Sequence, residues 1–403
     1  MFKNEKTLVI KRYFLLLFIF VSFVSRAQYG SLSEAAEISI LTIGPGAELY
    51  DKFGHSAFRI QDSLAGVDVV FNYGVFDFDT PNFYMKFAQG KLDYQLGVGY
   101  YHDFYNAYVS ENRWIREQIL NLTKEEKQEI SDFLWTNVLP ENKYYKYDFF
   151  YDNCATKIRD VLELTLDKKL EYHEDHITTE YSFRDLIRKN LNTNSWGSVG
   201  IDIALGAVID RKATPIEYQF LPEYVYQGAA NATIQRGNQT ENLVKKENLI
   251  YENVPVKEKS NFLLSPILIF LALAMAIIGI TIRDKRNKTR TRWLDGLIFA
   301  ITGLIGVLLF LLWFATDHTA TANNYNLLWA FPLSIFVVYV IFGKNPSVIV
   351  RRYVFFLILL LVLLGIHWIT GVQIFATALL PLFIALAVRY IYVSSYIAKQ
   401  TGR

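Results

Sequence analysis

The sequence predicts an exported α+β domain followed by a five-helix transmembrane domain. Three observations carry this expectation. Apolar residues make up 52% of the chain, yet they collect at the N-terminus and beyond residue 262, leaving a polar middle. That middle alternates short β-patterned runs with capped helical patterns, the mark of a mixed domain. In the apolar C-terminal part, the polar connections switch regularly between cation-rich and cation-free. The net charge of +2 points neither to nucleic acid nor to an acidic partner.

The elements follow in chain order. Lys3, Lys6, Lys11 and Arg12 precede an apolar run from Tyr13 to Val24, and Ser25, Arg26 and Ala27 form a small-residue cleavage pattern. Residues 1–27 therefore read as a signal peptide, or alternatively as an uncleaved anchor; either way the following domain is exported. "AEISILTIG" alternates into a Gly-Pro-Gly turn, and residues 54–62 and 67–78 are rich in β-branched and aromatic residues. These are the first three strands of an antiparallel sheet. In "TKEEKQEISDFLWTNVL", Thr123 and Glu126 form a capping box that opens a helix. After "FFYDNC", Ile158, Val161, Leu162 and Leu166 share one face, so Cys154 begins a second helix. The exported domain spans residues 28–230. The polar stretch 231–260 reads as a linker, and the transmembrane domain covers 261–403.

Within it, helices are expected at 262–282, 296–315, 327–342, 353–369 and 374–392. "RDKRNKTRTRW" between the first two carries six cations, the third connection carries Lys344, Arg351 and Arg352, and the tail carries Lys399 and Arg403. Connections 316–326 and 370–373 contain no Lys or Arg. The cationic set belongs in the cytoplasm, which leaves the C-terminus inside and the first domain outside.

The chain has one cysteine, Cys154, which cannot form an internal disulfide. At a helix N-terminus a thiol feels the positive end of the macrodipole, which favours thiolate. A nucleophile also needs a base. Of six histidines, His318 and His367 belong to the membrane half, His173 and His176 lie in a charged stretch, and His102 follows a Gly/Tyr-rich segment. His55 begins a strand after a glycine-rich turn, opposite a helix that begins with cysteine, as in papain-type enzymes but with histidine first. Scattered histidines and one cysteine supply no metal set, and neither a phosphate loop nor a dinucleotide fingerprint is present. No cofactor is expected.

That order, with "DKFGHSAFRI", "FNYGVFDF" and "FYDNCATKIRD", resembles the circularly permuted papain-like fold, which includes the lecithin retinol acyltransferase group. An exported domain followed by membrane helices, together with the outward loop "TDHTATANNYNLLWAFP", resembles more closely the Lnb-type lipoprotein N-acyltransferases. The resemblance extends over nearly the whole chain after residue 27. It implies transfer of an acyl chain from a membrane phospholipid to the free amine of a diacylglyceryl-cysteine lipoprotein, at the outer face of the bacterial inner membrane. The rival reading is a membrane-anchored cysteine peptidase or amidase acting on cell-wall peptides; a further one is an envelope scaffold whose Cys154 is inert.

Cys154 is then the nucleophile and His55 its base. In permuted papain-like enzymes the orienting group usually comes from the next strand, which makes Asn72 the first choice, with Asp77 or Asp79 as alternatives. Asn153 or Asp152 either positions an oxyanion donor or caps the helix. Arg59, four residues from His55 on the same face, binds a phosphate head group or makes a surface ion pair. In the outward loop, Asp317, His318, Asn324, Asn326 and Trp329 form a polar-aromatic cluster suited to substrate binding; for Trp329 an interfacial belt position is the ordinary alternative.

Overall fold

The computed structural model describes residues 30–255, 262–344 and 346–401. The expected signal peptide lies outside these residues, as does Arg403.

Strands β1 (Glu37–Ile43), β2 (His55–Asp62), β3 (Val67–Val75), β4 (Asp93–Tyr100), β5 (Ile115–Leu120), β6 (Tyr144–Lys146) and β10 (Val244–Tyr251) build an antiparallel sheet of order β10-β5-β1-β2-β3-β4-β6. A smaller sheet holds β7 (Leu170–Glu171), β8 (Thr233–Arg236) and β9 (Gln239–Asn242). The helices of this domain are α1 (Phe83–Ala88), α2 (Tyr101–Ser110), α3 (Lys124–Asn137), α4 (Cys154–Leu166), α5 (Phe183–Lys189), α6 (Trp196–Ala204) and α7 (Pro222–Ala230). Alternation puts Ile38, Ile40, Phe58, Ile60 and Phe71 on one sheet face, where they pack against Ile130 and Leu134 of α3 and Ile158 and Leu162 of α4. On the other face Leu41, Ile43, Ala57 and Val70 are covered by Tyr101, Phe104 and Tyr108 of α2. The capping box of Thr123 and Glu126 is present at α3.

The expected linker 231–260 is in large part structured. Residues 233–251 form three strands, and β10 pairs with β5 from Val244 opposite Leu120 to Tyr251 opposite Ile115. Its polarity misled because β10 is an edge strand, where lysine and glutamate on the exposed side are common.

In the membrane half, four helices among the described residues are long and apolar enough to cross a bilayer, and the third expected one is shorter. They are α8 (Pro266–Asn287), α9 (Arg292–Phe314), α11 (Val348–Ile369) and α12 (Leu380–Gln400). The third expected span, 327–342, holds only α10 (Ser334–Phe342) after a 3-10 turn at Tyr325–Leu328. Nine residues rise about 14 Å. Pro332 explains the interruption, since it lacks an N–H and disfavours helix at the residue before it. The segment nevertheless runs back along α9. Gly306 abuts the backbone of Ala330 and Pro332, Gly303 that of Ser334 and Ile335, and Gly296 the ring of Phe342. Any side chain at Gly306 would collide with the Ala330 carbonyl. Asn324, Asn326, Trp329 and Ala330 are buried, as non-helical backbone at this depth requires. At the cation-rich end, Arg389 donates to Asp295 at 2.7 Å and Asp284 at 2.8 Å, and Arg290 to Asp295 at 3.1 Å, joining α8, α9 and α12.

The two halves are clamped together. The Asn324 side chain donates to the carbonyls of Ile203 and Ala204 at the end of α6, and that of Asn326 to Asp202. Helix C-terminal carbonyls lack intrahelical partners, and these amides supply them. The N–H groups of Gly206 and Ala207 donate to Ala320 and Asn323. Arg188 reaches the Phe375 carbonyl at 3.2 Å while paired with Asp202.

Candidate active site

Cys154 owes its place to two local devices. Asn153 caps α4: its Oδ1 accepts from the N–H groups of Ala155 (2.8 Å) and Thr156 (2.9 Å), and its Nδ2 donates to the carbonyls of Phe149 and Phe220. The cap leaves out the Cys154 N–H. Opposite, β3 slips register against β4 between Asn72 and Val75, and Gly74 there adopts φ +91°. That backbone conformation suits glycine, and a Cβ at Gly74 would lie 3.7 Å from that of Cys154. The bulge therefore seats β3 directly beside Cys154.

His55 opens β2 and hydrogen-bonds Cys154 on one side and Asn72 on the other. The Asn72 contact is Nε2 to Oδ1 at 2.6 Å, which leaves Nδ1 for the sulfur. Burial works to lower the His55 pKa, but the charge and hydrogen bond of Cys154, and the hydrogen bond to Asn72, carry it above the ordinary value. Burial works to raise the thiol's pKa, but the His55 charge and hydrogen bond, and backbone N–H groups of Ser56 and Ala155, bring it below. Both directions favour a thiolate–imidazolium pair, with the thiolate as the reactive form. The Tyr108 ring lies against His55 at 6.1 Å between centroids, and the Arg113 guanidinium sits over Tyr108 at 4.8 Å.

The pair opens into a cavity of about 980 Å³. Phe53, Phe76, Tyr94, Phe150, Ile201 and Leu205 give it a mainly apolar lining. One wall is the outward loop of the membrane half: Asp317, His318, Thr319, Ala320 and Thr321 all border it. Thr319 donates to Asp148 at 2.6 Å, His318 Nε2 lies 3.2 Å from the Phe87 carbonyl, and the Asp317 N–H donates to Gln89. This volume is at the upper end of the ~300–1,000 Å³ usual for small-molecule sites, and the lining suits a hydrocarbon chain.

The structure thus brings Cys154, His55, Asn72, Asn153, Asp317 and His318 to one cavity, and separates Arg59, Asn324, Asn326 and Trp329 from it. Arg59 is buried, pairs with Asp68 (2.7 Å) and Glu117 (2.9 Å), and lies 3.5 Å from the Tyr101 ring centroid. With its donors committed, it is no phosphate ligand. Asn153 borders the cavity, but its amide is spent on the cap. Asn324, Asn326 and Trp329 lie in the interdomain clamp, where the Trp329 indole donates to Asn326 at 2.9 Å. Asp77 accepts from the Asp79 N–H in a turn and does not reach His55. Sequence reasoning missed Tyr108, Arg113, Tyr147 and Thr319, which also border the cavity. Nothing in their spacing distinguishes them from packing or loop residues. Arg113 borders the cavity with a buried Nη2 that has no hydrogen-bond partner among the described residues. Among the described residues no group of three or more His, Cys, Asp or Glu could hold a metal ion.

Two family models match the chain: the Lnb N-terminal periplasmic domain over residues 29–190, and the Lnb transmembrane domain over residues 257–401. No curated protein and no solved structure matches it. The two matches run in order and together span well over half the sequence. The first contains the whole Cys154–His55–Asn72 constellation and the second the loop that closes the cavity. The chain therefore belongs to the Lnb family, a membrane protein with a periplasmic N-terminal domain whose membership implies a lipoprotein N-acyltransferase-like role.

Proposed function

We propose that the protein is a cysteine-dependent N-acyltransferase that moves an acyl chain from a membrane phospholipid to the α-amine of a diacylglyceryl-cysteine lipoprotein. The observation that carries this reading is a Cys-His-Asn constellation open to an apolar cavity walled by the membrane domain. The Cys154 thiolate attacks the ester carbonyl, forming the C–S bond. The developing oxyanion faces the N-terminus of α4, where the Cys154 N–H is left out of the cap. The C–O bond breaks, and the His55 imidazolium gives its proton to the departing lysophospholipid. An acyl thioester and a neutral imidazole remain. The acceptor amine then attacks the thioester, His55 takes the amine's proton, and the C–S bond breaks to restore the ion pair. Asn72 holds the imidazole in register through both halves. An α-amine with pKa near 8 is partly neutral at pH ~7, whereas lysine at ~10.4 is not, which directs transfer to lipoprotein N-termini.

The catalytic domain works at the periplasmic face of the inner membrane, and the C-terminus lies in the cytoplasm. Both substrates are lipids held in the same bilayer, which raises their effective concentration. A peptidase on cell-wall peptides would share the dyad but has no use for a cavity lined by Phe53, Phe76 and Leu205. Mass spectrometry of lipoprotein N-terminal peptides from cells with and without this protein tests the proposal. An N-acylated form is expected only with it, and identical peptides would overturn the reading.

A further inference from the structure

The rim of the cavity carries an apolar surface that the described residues leave uncovered. Tyr50 is 82% exposed, Phe78 68%, Tyr84 80%, Met85 61% and Phe87 53%. Tyr50, Phe78 and Phe87 also border the cavity, so this surface continues into the site. Exposed apolar patches of this kind mark an interaction surface rather than ordinary solvent-facing scatter.

Its position relative to the spans is fixed at two points. Trp196 borders the cavity, donates its indole N–H to the Leu264 carbonyl at 3.0 Å, and packs 5.7 Å from Phe270 at the start of α8. Gln89, just beyond α1, accepts from the Asp317 N–H just beyond α9 at 2.8 Å. The cavity mouth therefore lies level with the ends of α8 and α9 opposite the cation-rich connection, at the outer edge of the bilayer. Aromatic residues concentrate at that depth. Exposed Lys91 follows the segment and is suited to lipid phosphates.

We propose that residues 76–88 dip into the outer leaflet and form a lateral portal, through which the acyl chains of bilayer phospholipid pass into the cavity without crossing water. Insertion itself follows from the rim and its two anchors. Only the identity of what passes rests on the acyl-transfer reading, so the two can fail separately.

The test uses the full chain in vesicles of phosphatidylethanolamine and phosphatidylglycerol. Cys154→Ala removes the only thiol, so Tyr84→Cys in that background carries a single nitroxide label. Leu64→Cys, on the β2–β3 turn at the opposite end of β2 from His55, is the control. Power-saturation spectroscopy should give at least tenfold greater relative accessibility to oxygen over a water-soluble nickel chelate at 84 than at 64. Equal aqueous accessibility at both positions would overturn the portal. In the enzyme retaining Cys154, Tyr84→Ser with Met85→Ser should raise the apparent KM for bilayer phospholipid about tenfold and leave transfer from a water-soluble dihexanoyl donor unchanged. An equal loss with both donors would also overturn it. Membrane insertion at 84 with no transfer from either donor by the unsubstituted enzyme would sink the acyltransferase reading and leave the portal standing.

Discussion

Replacing Asn72 by alanine removes the 2.6 Å contact that holds His55 Nε2 and helps raise its pKa. A hydrogen bond to a charged group contributes about 1.5–3 kcal/mol, and each ~1.4 kcal/mol is tenfold, so acylation of Cys154 should fall roughly 10- to 150-fold. The sign of the pH effect follows from the same contact. Asn72 favours imidazolium, so its loss lowers the His55 pKa, and the ion pair dissolves at a lower pH on the alkaline side. Because Cys154 is the only thiol, iodoacetamide alkylation reports on it alone. With the imidazolium less favoured, less of Cys154 is thiolate near neutral pH, so the alkylation rate of Asn72→Ala there should fall. A variant with an unaltered alkylation profile and full acylation would refute the orienting role.

Three further outcomes follow from the geometry. Asn153→Ala removes a cap that contributes ~1 kcal/mol and strands the carbonyls of Phe149 and Phe220, so a thermal melt should drop by several degrees. Asn326→Leu deletes the donors to Asp202 and Ile203 without touching the cavity. Hydrogen exchange in residues 316–326 should rise and transfer should weaken, whereas unaltered protection would mean the clamp does not position the loop. Gly306→Leu should abolish accumulation of folded protein because the Ala330 carbonyl occupies its space, while Gly365→Leu, with nothing within 4 Å of a Cβ, should be tolerated.

The parts legible in the sequence are those whose signal is local. The first three strands alternate, Thr123 and Glu126 announce a cap, and Cys154 stands at the start of an amphipathic helix. His55 stands out by elimination among six histidines, and Asn72 follows from the resemblance, which puts the orienting group on the next strand. The errors share a different cause. Arg59 lies on the face of β2 expected from its spacing, but cross-strand partners Asp68 and Glu117 come from β3 and β5, which no local pattern reveals. Asn324 and Asn326 look like ligand contacts because they are polar and outward, yet the open carbonyls of α6 claim them. β10 reads as linker because edge strands tolerate charge. The third span reads as helix by composition, and only the backbone shows Pro332 dividing it. The cavity wall draws on β3, α4, α6 and the outward loop, a composite surface that no single window of sequence contains.

The central claim is that Cys154 carries the acyl chain. Incubating the purified protein with phospholipid and no acceptor, followed by intact-mass spectrometry, tests it most directly. The account predicts one acyl chain per molecule on Cys154. The adduct should be sensitive to hydroxylamine, absent in Cys154→Ser, and discharged by a diacylglyceryl-cysteine peptide with a free amine but not a blocked one. Full lipoprotein acylation by Cys154→Ser, with no adduct on the unsubstituted enzyme, would contradict it.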